Sequence, residues 1–298
     1  MITLSNGCSF EFVTASGALG YDGKGWPWEK PLKQLGLLDP LLFTNVMKTI
    51  TLQPRQGNLK WHNPLGCIRP MRGGVVNSVG LTNPGFNWWA KKIGAELDWF
   101  KIRLIGSIFG EPKELETMAK AMNDFDIIAL QVNASCPNTE GDTLSNVEKV
   151  IESIEAVKNV SRHPVLAKVS VAHNIEKIAL AVESMVEAFD INSVPWHIVF
   201  PNKKSPLAKL GGGGVSGKIA QPFTWALAKK LIEMTRVPVI GPSVWDFEDI
   251  AKLRAMGAKA VSFGSVFLCH PWRPTLFVKK DKRTAEQYRK FLRKGGLQ

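Results

Sequence analysis

The chain has 298 residues, 45% of them hydrophobic and 21% charged, with a formal net charge of +12. That is the balance of a globular protein with a sizeable core, and no run reaches the roughly 20 unbroken apolar residues that a membrane span needs. The four cysteines, Cys8, Cys67, Cys136 and Cys269, lie far apart, which argues against both a disulfide framework and a zinc site.

Met1-Ile2-Thr3-Leu4-Ser5 lacks the basic flank and apolar run of a secretory signal, so a reducing cytoplasm is the expected location. The basic excess would attract phosphates or small anionic substrates. Part of it falls between Lys279 and Lys294, interleaved with Tyr288 and Phe291, and reads as a solvated face of a C-terminal helix. Nucleic acid is therefore not an expected partner, and no membrane insertion is expected.

Strands and helices alternate along the chain. Apolar, β-branched runs predict strands over Phe12–Ala18, Asn45–Leu52 and Ile102–Phe109, followed by a helix over Pro112–Asn123. A strand over Ile127–Ser135 then leads to a helix over Asn146–Val160, for which Ser145 and Glu148 supply a capping box. Next come a strand over Pro164–Val171, a helix over Ile175–Ala188 and a strand over Phe189–Val194. A helix over Phe223–Thr235, a strand over Val237–Gly241, a helix over Phe247–Met256 stopped by Gly257, and a strand over Ala260–Phe267 complete the series. Most strands are nearly continuous apolar runs, as in parallel strands buried on both faces. Eight of them with intervening helices predict an α/β fold, a (β/α)8 TIM barrel in one domain over residues 1–298. An open doubly wound sheet is the alternative.

Polar residues and glycines collect where these strands end: Ala15-Ser16-Gly17, Lys48-Thr49, Asn133 to Asn138, Lys168-Val169-Ser170, Asn192-Ser193, Gly241 and Gly264-Ser265. In a parallel barrel those ends converge on one rim, where active sites are built. Gly211 to Gly214 and Gly217 precede the predicted Phe223–Thr235 helix, where a backbone can approach a phosphate closely, although a flexible loop accounts for them equally. Cys136 stands in Asn133-Ala134-Ser135-Cys136-Pro137-Asn138, just past a buried strand. A thiol with a pKa of about 8.5 accepts a proton near neutral pH once modestly tuned. No His or carboxylate is placed by sequence to make it a hydrolytic nucleophile, so base is the better reading. The other three cysteines read as packing residues.

From this motif outward the sequence resembles the dihydroorotate dehydrogenases over nearly its whole length. The likeness is carried by Ala15-Ser16-Gly17, by Lys48-Thr49-Ile50-Thr51-Leu52-Gln53-Pro54-Arg55-Gln56-Gly57-Asn58 and by Asn77-Ser78-Val79-Gly80-Leu81-Thr82-Asn83-Pro84-Gly85. The Cys136 segment, Lys168, Ile191-Asn192-Ser193, Gly213 to Gly217 and Gly264-Ser265 follow in family order. The resemblance implies FMN as cofactor and a small anionic pyrimidine, dihydroorotate, as substrate. Cys136 would take the proton from C5 while hydride passes from C6 to N5 of FMN. Lys48, Asn77, Gly80, Leu81, Asn133, Asn138, Asn192 and Ser193 would bind the substrate. Ser16, Lys48, Thr49, Asn133, Lys168, Ile191, Gly217, Ser243, Gly264 and Ser265 would hold FMN. Family members that reduce quinone carry an N-terminal membrane-associated extension and a serine base. Here the first strand begins near residue 12 and the base is a cysteine, which implies the other, cysteine-using group. That group includes homodimers, the arrangement expected here, and chains paired with an electron-transfer partner subunit.

Two stretches depart from the family pattern. Gly241-Pro242-Ser243-Val244 stands where paired glycines usually meet the phosphate, and proline has no amide hydrogen to donate. Val194-Pro195-Trp196 follows Asn192-Ser193 and is bulkier than the usual continuation. Two rival readings stay open: a flavin-dependent reductase of tRNA uridine or of another dihydropyrimidine, and a non-catalytic barrel that binds a phosphorylated ligand.

Overall fold

The computed structural model describes residues 1–134 and 147–293, as backbone alone beyond residue 287. The strands are β1 (Ile2–Thr3), β2 (Ser9–Phe10), β3 (Phe12–Thr14), β4 (Asn45–Val46), β5 (Ile68–Met71), β6 (Gly74–Asn77) and β7 (Leu104–Ile108). They continue as β8 (Ala129–Asn133), β9 (Val165–Val169), β10 (Ala188–Ile191), β11 (Val194–Pro195), β12 (Gly214–Gly217), β13 (Ile240–Gly241) and β14 (Ala260–Phe263). The helices are α1 (Lys30–Gln34), α2 (Phe86–Lys92), α3 (Pro112–Met122), α4 (Val147–Lys158) and α5 (Ile175–Val182). After them come α6 (Trp196–Val199), α7 (Gln221–Met234), α8 (Glu248–Met256), α9 (Ser265–Cys269) and α10 (Arg273–Arg293).

Every predicted parallel strand is present. Strands β4, β7, β8, β9 and β10 are hydrogen-bonded in that order, and β13, β14 and β3 form a second parallel group. Single parallel bridges, Phe189 with Val239 and Val13 with Thr44, join the two groups into a ring of eight. The strands are shorter than the apolar runs suggest, mainly because residues past their C-terminal ends turn away to form loops.

Alternation along each strand fixes what fills the ring. Val13, Val46, Ile105, Ala129, Leu166, Ala188, Ile240 and Ala260, one from each strand, make a single buried cluster with Ile2, Leu4 and Phe10. The β1–β2 hairpin thus plugs the N-terminal end of the barrel. Side chains two residues apart share a face. The next inward positions are Ser107, Gln131, Lys168, Asp190 and Ser262, all buried and all polar. The interior therefore passes from an apolar floor to a polar layer in one step along each of these strands.

The outer face is conventional. Leu115, Met118, Ala119 and Met122 of α3, Val150, Ile154 and Val157 of α4, and Ile175, Ile178, Ala179 and Val182 of α5 pack on the outward residues of the sheet. Their spacing of three and four places one stripe of each helix on the barrel. Pro112 opens α3, where its missing amide hydrogen costs nothing, and Gly257, at φ +110°, ends α8 as predicted. The α5 helix stops at Val182, earlier than predicted, and Ala188 pairs into β10 instead.

A second, antiparallel sheet in the order β11-β12-β6-β5 was not expected. Its strands lie in the connections after β4 and β10, so it sits over the C-terminal rim. The glycine run expected as a loop is in part its strand β12, with Gly214 opposite Asn77. Glycine is required here by close approach. A Cβ on Gly217 would stand 2.7 Å from the Gly73 carbonyl oxygen, and one on Gly74 would run into the Ser216 carbonyl.

Phe10→Ala tests the plug. Truncating a buried Phe costs about 3–5 kcal/mol, so urea unfolding should show a loss of that order. A loss under ~1 kcal/mol would mean that the hairpin does not seal the barrel.

Candidate active site

The described candidates gather on one rim. In ring order they are Ser16 after β3, Lys48 and Thr49 after β4, Asn133 ending β8, Lys168 within β9, Ile191 ending β10 with Asn192 and Ser193 beyond it, Ser243 after β13, and Gly264-Ser265 after β14. Asn77 and Gly217 come from the antiparallel sheet above, at the ends of β6 and β12. Cys136 and Asn138 lie outside the described residues, in the stretch that follows Asn133.

A row of hydrogen bonds crosses the polar layer. The Ser16 hydroxyl lies 2.9 Å from Thr49 Oγ1, Thr49 Oγ1 lies 2.8 Å from Ser107 Oγ, and Asn133 Nδ2 donates to Thr49 Oγ1 at 3.1 Å. Asn133 stands in register with Lys168 on the neighbouring strand, and Lys168 with Asp190 on the next. Four of the predicted residues (Ser16, Thr49, Asn133 and Lys168) are thereby brought together, joined by Ser107, Gln131 and Asp190, which sequence reasoning had passed over.

Two long loops are stitched to each other above this row. Asn58 donates its side-chain amide to the Ser78 carbonyl at 2.9 Å, and its backbone N–H goes to the Val79 carbonyl at 2.8 Å. Asn83 accepts from Gly85 N–H and Thr51 N–H, and donates to the Leu81 carbonyl at 2.7 Å. Asn77, Gly80 and Leu81 are thus presented by a loop that the 51–58 segment holds in shape. Aromatic residues brace its outer side: Tyr21 Oη donates to the Thr82 carbonyl, Trp89 Nε1 to the Tyr21 carbonyl, and Trp26 Nε1 to the Gly17 carbonyl.

Among the described residues, only Leu81 (φ +58°) and Ser243 (φ +62°) have positive φ without being glycine. Such conformations cost about 1–3 kcal/mol and persist where the surroundings over-determine them, often at functional sites. Both are predicted site residues, and they arise from separate parts of the chain.

The comparisons with known proteins agree with this geometry. A dihydroorotate dehydrogenase family model matches residues 30–274. The chain belongs to the dihydroorotate dehydrogenase family. One relative in this family of oxidoreductases is the catalytic subunit of dihydroorotate dehydrogenase B (NAD(+)) of Desulforudis audaxviator, 31% identical over 270 residues, 87% of this chain and 83% of the relative. The protein of the same name from Caldicellulosiruptor saccharolyticus is 28% identical over 267 residues, 87% of this chain and 84% of the relative. Among solved structures, the ligand-free dihydroorotate dehydrogenase of Eimeria tenella superposes with a TM-score of 0.70, at 17% identity, over 95% of this chain and 85% of that one. That last likeness concerns the fold.

The structure accounts for both departures from the family pattern. Ser243 adopts the left-handed turn that a glycine would otherwise make. It is held there by Gln221 Nε2 donating to its carbonyl at 2.9 Å and by a 3.1 Å contact between its hydroxyl and that of Thr224. The Pro242 carbonyl accepts from Trp225 Nε1 at 3.0 Å. Trp196 is occupied elsewhere: its ring packs on Phe200 at 4.4 Å between centroids and donates to the Lys203 carbonyl at 2.7 Å. Cys67, taken as a packing residue, is fully buried; burial raises its thiol pKa while the Lys48 ammonium opposes that rise.

His173 is a further residue that sequence reasoning missed. It is buried against the Ala134 backbone, and its Nδ1 accepts from Ser170 N–H at 3.3 Å. A histidine after a strand carries no pattern that would mark it. Burial pushes its pKa down to about 4, so the ring is neutral in the folded chain. The unfolded chain takes up this proton first, near pH 6.5. The neutral ring's contribution is therefore intact above about pH 6.5 and is lost as pH falls toward 4, by ~3 kcal/mol in all. His173→Gln should flatten the fall of urea-unfolding free energy over that range. Equal slopes in the two proteins would contradict a buried neutral imidazole.

Proposed function

We propose that this chain oxidises dihydroorotate to orotate with FMN, as one barrel domain whose catalytic base is Cys136. The observation that carries the reading is the contiguous row Ser16–Thr49–Asn133 in register with the buried Lys168, set beneath a loop that presents Asn77 and Leu81. Family membership supports the same chemistry.

The donor set suits FMN. Hydroxyls at Ser16, Thr49 and Ser265 and the amide of Asn133 line one side of the rim, Lys168 supplies a buried cation, and Ser243 makes the tight turn expected beside a phosphate. Gly217, Gly264 and Ile191 complete that side. When bound, FMN supplies the acceptor for the hydride that leaves C6 of the substrate.

The chain's own residues do the rest. Lys48 offsets the carboxylate charge of dihydroorotate. Asn77, Asn133, Asn138 and Asn192 each offer a donor and an acceptor to the pyrimidine's amide edges, with Gly80, Leu81 and Ser193 closing the contact surface. Cys136 Sγ accepts the proton from C5 as the C5–C6 double bond forms. Lys168 places positive charge where negative charge collects in the reduced cofactor. The names of the relatives, catalytic subunits of an NAD(+) enzyme, support an electron-transfer partner subunit. A self-sufficient homodimer is the other arrangement.

Anaerobic addition of dihydroorotate to the purified yellow protein should bleach the flavin absorption rapidly. A yellow protein that ignores dihydroorotate but is bleached by NADPH would instead support a reductase of tRNA uridine or of another pyrimidine. A protein that never retains flavin would support a phosphate-ligand-binding barrel. Cys136→Ala should keep its FMN and slow bleaching by about 10²–10⁴-fold, the usual weight of a general base. Unchanged bleaching would remove Cys136 from that role.

A further inference from the structure

Asp190 is a buried acid that the proposed chemistry leaves unused. It sits on the inward face of β10, 3% exposed, in register with Lys168 of β9, itself 6% exposed. Lys168 Nζ lies 3.8 Å from Asp190 Oδ2, a charge pair rather than a hydrogen bond. The carboxylate is fixed from two other directions: Oδ1 accepts from Ile191 N–H at 2.9 Å, and Oδ2 accepts from Gln131 Nε2 at 2.9 Å. Gln131 is oriented in turn by Ser107, whose hydroxyl donates to Gln131 Oε1 at 3.4 Å. The acid is thus built in from β8, β9 and β10. Below it lies only the apolar floor formed by Leu166, Ala188, Ala129 and their neighbours.

A charge in such a place acts strongly, because the interior screens it far less than water would. A lone Lys168 would favour the more negative, reduced form of a flavin bound beside it. A full countercharge at 3.8 Å cancels most of that preference.

We propose that Asp190 is a positioning and charge-setting residue, which holds Lys168 in place and lowers the reduction potential of the bound flavin. The proposal rests on the reading that FMN binds beside Lys168. Asp190 touches neither substrate nor cofactor; it acts through Lys168. A cofactor kept at lower potential passes its electrons on more readily, which suits a catalytic chain that hands them to a partner.

The test is the midpoint potential of bound FMN, measured by dye equilibration in the full chain. Asp190→Asn keeps the shape and removes the charge. It should favour reduced over oxidised flavin about tenfold more than the parent does, a rise of ~30 mV for a two-electron couple. Asp190→Glu should stay near the parent value. A merely structural role would loosen FMN or lower Tm and leave the potential where it was; that result, or a fall, overturns the proposal. Should Asp190→Asn fail to fold with Lys168 unpaired, the double variant Lys168→Gln, Asp190→Asn removes both charges and strands neither. Its potential should match the parent within about threefold in the same ratio, ~15 mV. A tenfold fall would show that Lys168 was never offset. Absence of flavin from the parent protein would defeat the functional reading itself, an outcome separate from any of these.

Discussion

The parity of a closed ring governs this molecule. Inward positions recur at every second residue of every strand, so eight strands must agree on what fills the axis. Here all eight agree on the floor and five of them on the layer above it. The lower layer takes one apolar residue from each strand and is sealed by Ile2, Leu4 and Phe10. The layer above takes Ser107, Gln131, Lys168, Asp190 and Ser262, each buried and polar. Buried polar groups are costly unless they are mutually satisfied. The apolar floor leaves them no water from beneath, so they must bond across the ring, and the Thr49–Ser107–Gln131–Asp190 contacts do so. The same rule that closes the barrel thereby builds a rigid polar base for the rim.

Rigidity continues upward through unlike means. The rim loops have little regular structure, yet Asn58 and Asn83 substitute for a sheet by bonding to backbone groups of the 78–85 segment. Indole and phenol groups at Trp26, Trp89 and Tyr21 direct their polar atoms to loop carbonyls, while Tyr21 lies edge-on to Trp26 at 6.0 Å and Trp89 edge-on to Phe125 at 5.2 Å. Such bracing can hold Leu81 at a positive φ, because a loop free to relax would shed that strain. Ser243 is held in the same way by Gln221 and Thr224 on the far side of the ring.

Strands of the barrel were legible because both faces are buried and the apolar runs are continuous. Helices were legible from spacings such as Leu115, Met118, Ala119, Met122. The antiparallel sheet was not, and the reason lies in its residues. Its strand β12 is Gly-Val-Ser-Gly and β5 carries Arg69 and Pro70 outward, so neither shows a run or a clean alternation. Close packing of two backbones demanded glycine there, and glycine suggested a loop. For the site, residues within recognisable motifs were legible, and Ser16, Thr49, Asn133 and Lys168 do meet. Gln131, Asp190 and His173 were invisible for a shared reason: each matters through a partner on another strand or loop. A single polar residue inside an apolar run does not say which neighbour it will face.

That same pairing explains why the interior can carry charge at all. Each charge of the Lys168–Asp190 pair offsets the other, and Gln131 adds a hydrogen bond to the carboxylate, so neither charge is buried uncompensated. Together they keep the polar layer close to neutral overall. The neutral His173 belongs to the same economy, since an imidazolium near Ala134 would add an uncompensated cation to the wall of the rim. Charge on this rim is therefore balanced in place: it is paired within the ring between Lys168 and Asp190 and suppressed at His173.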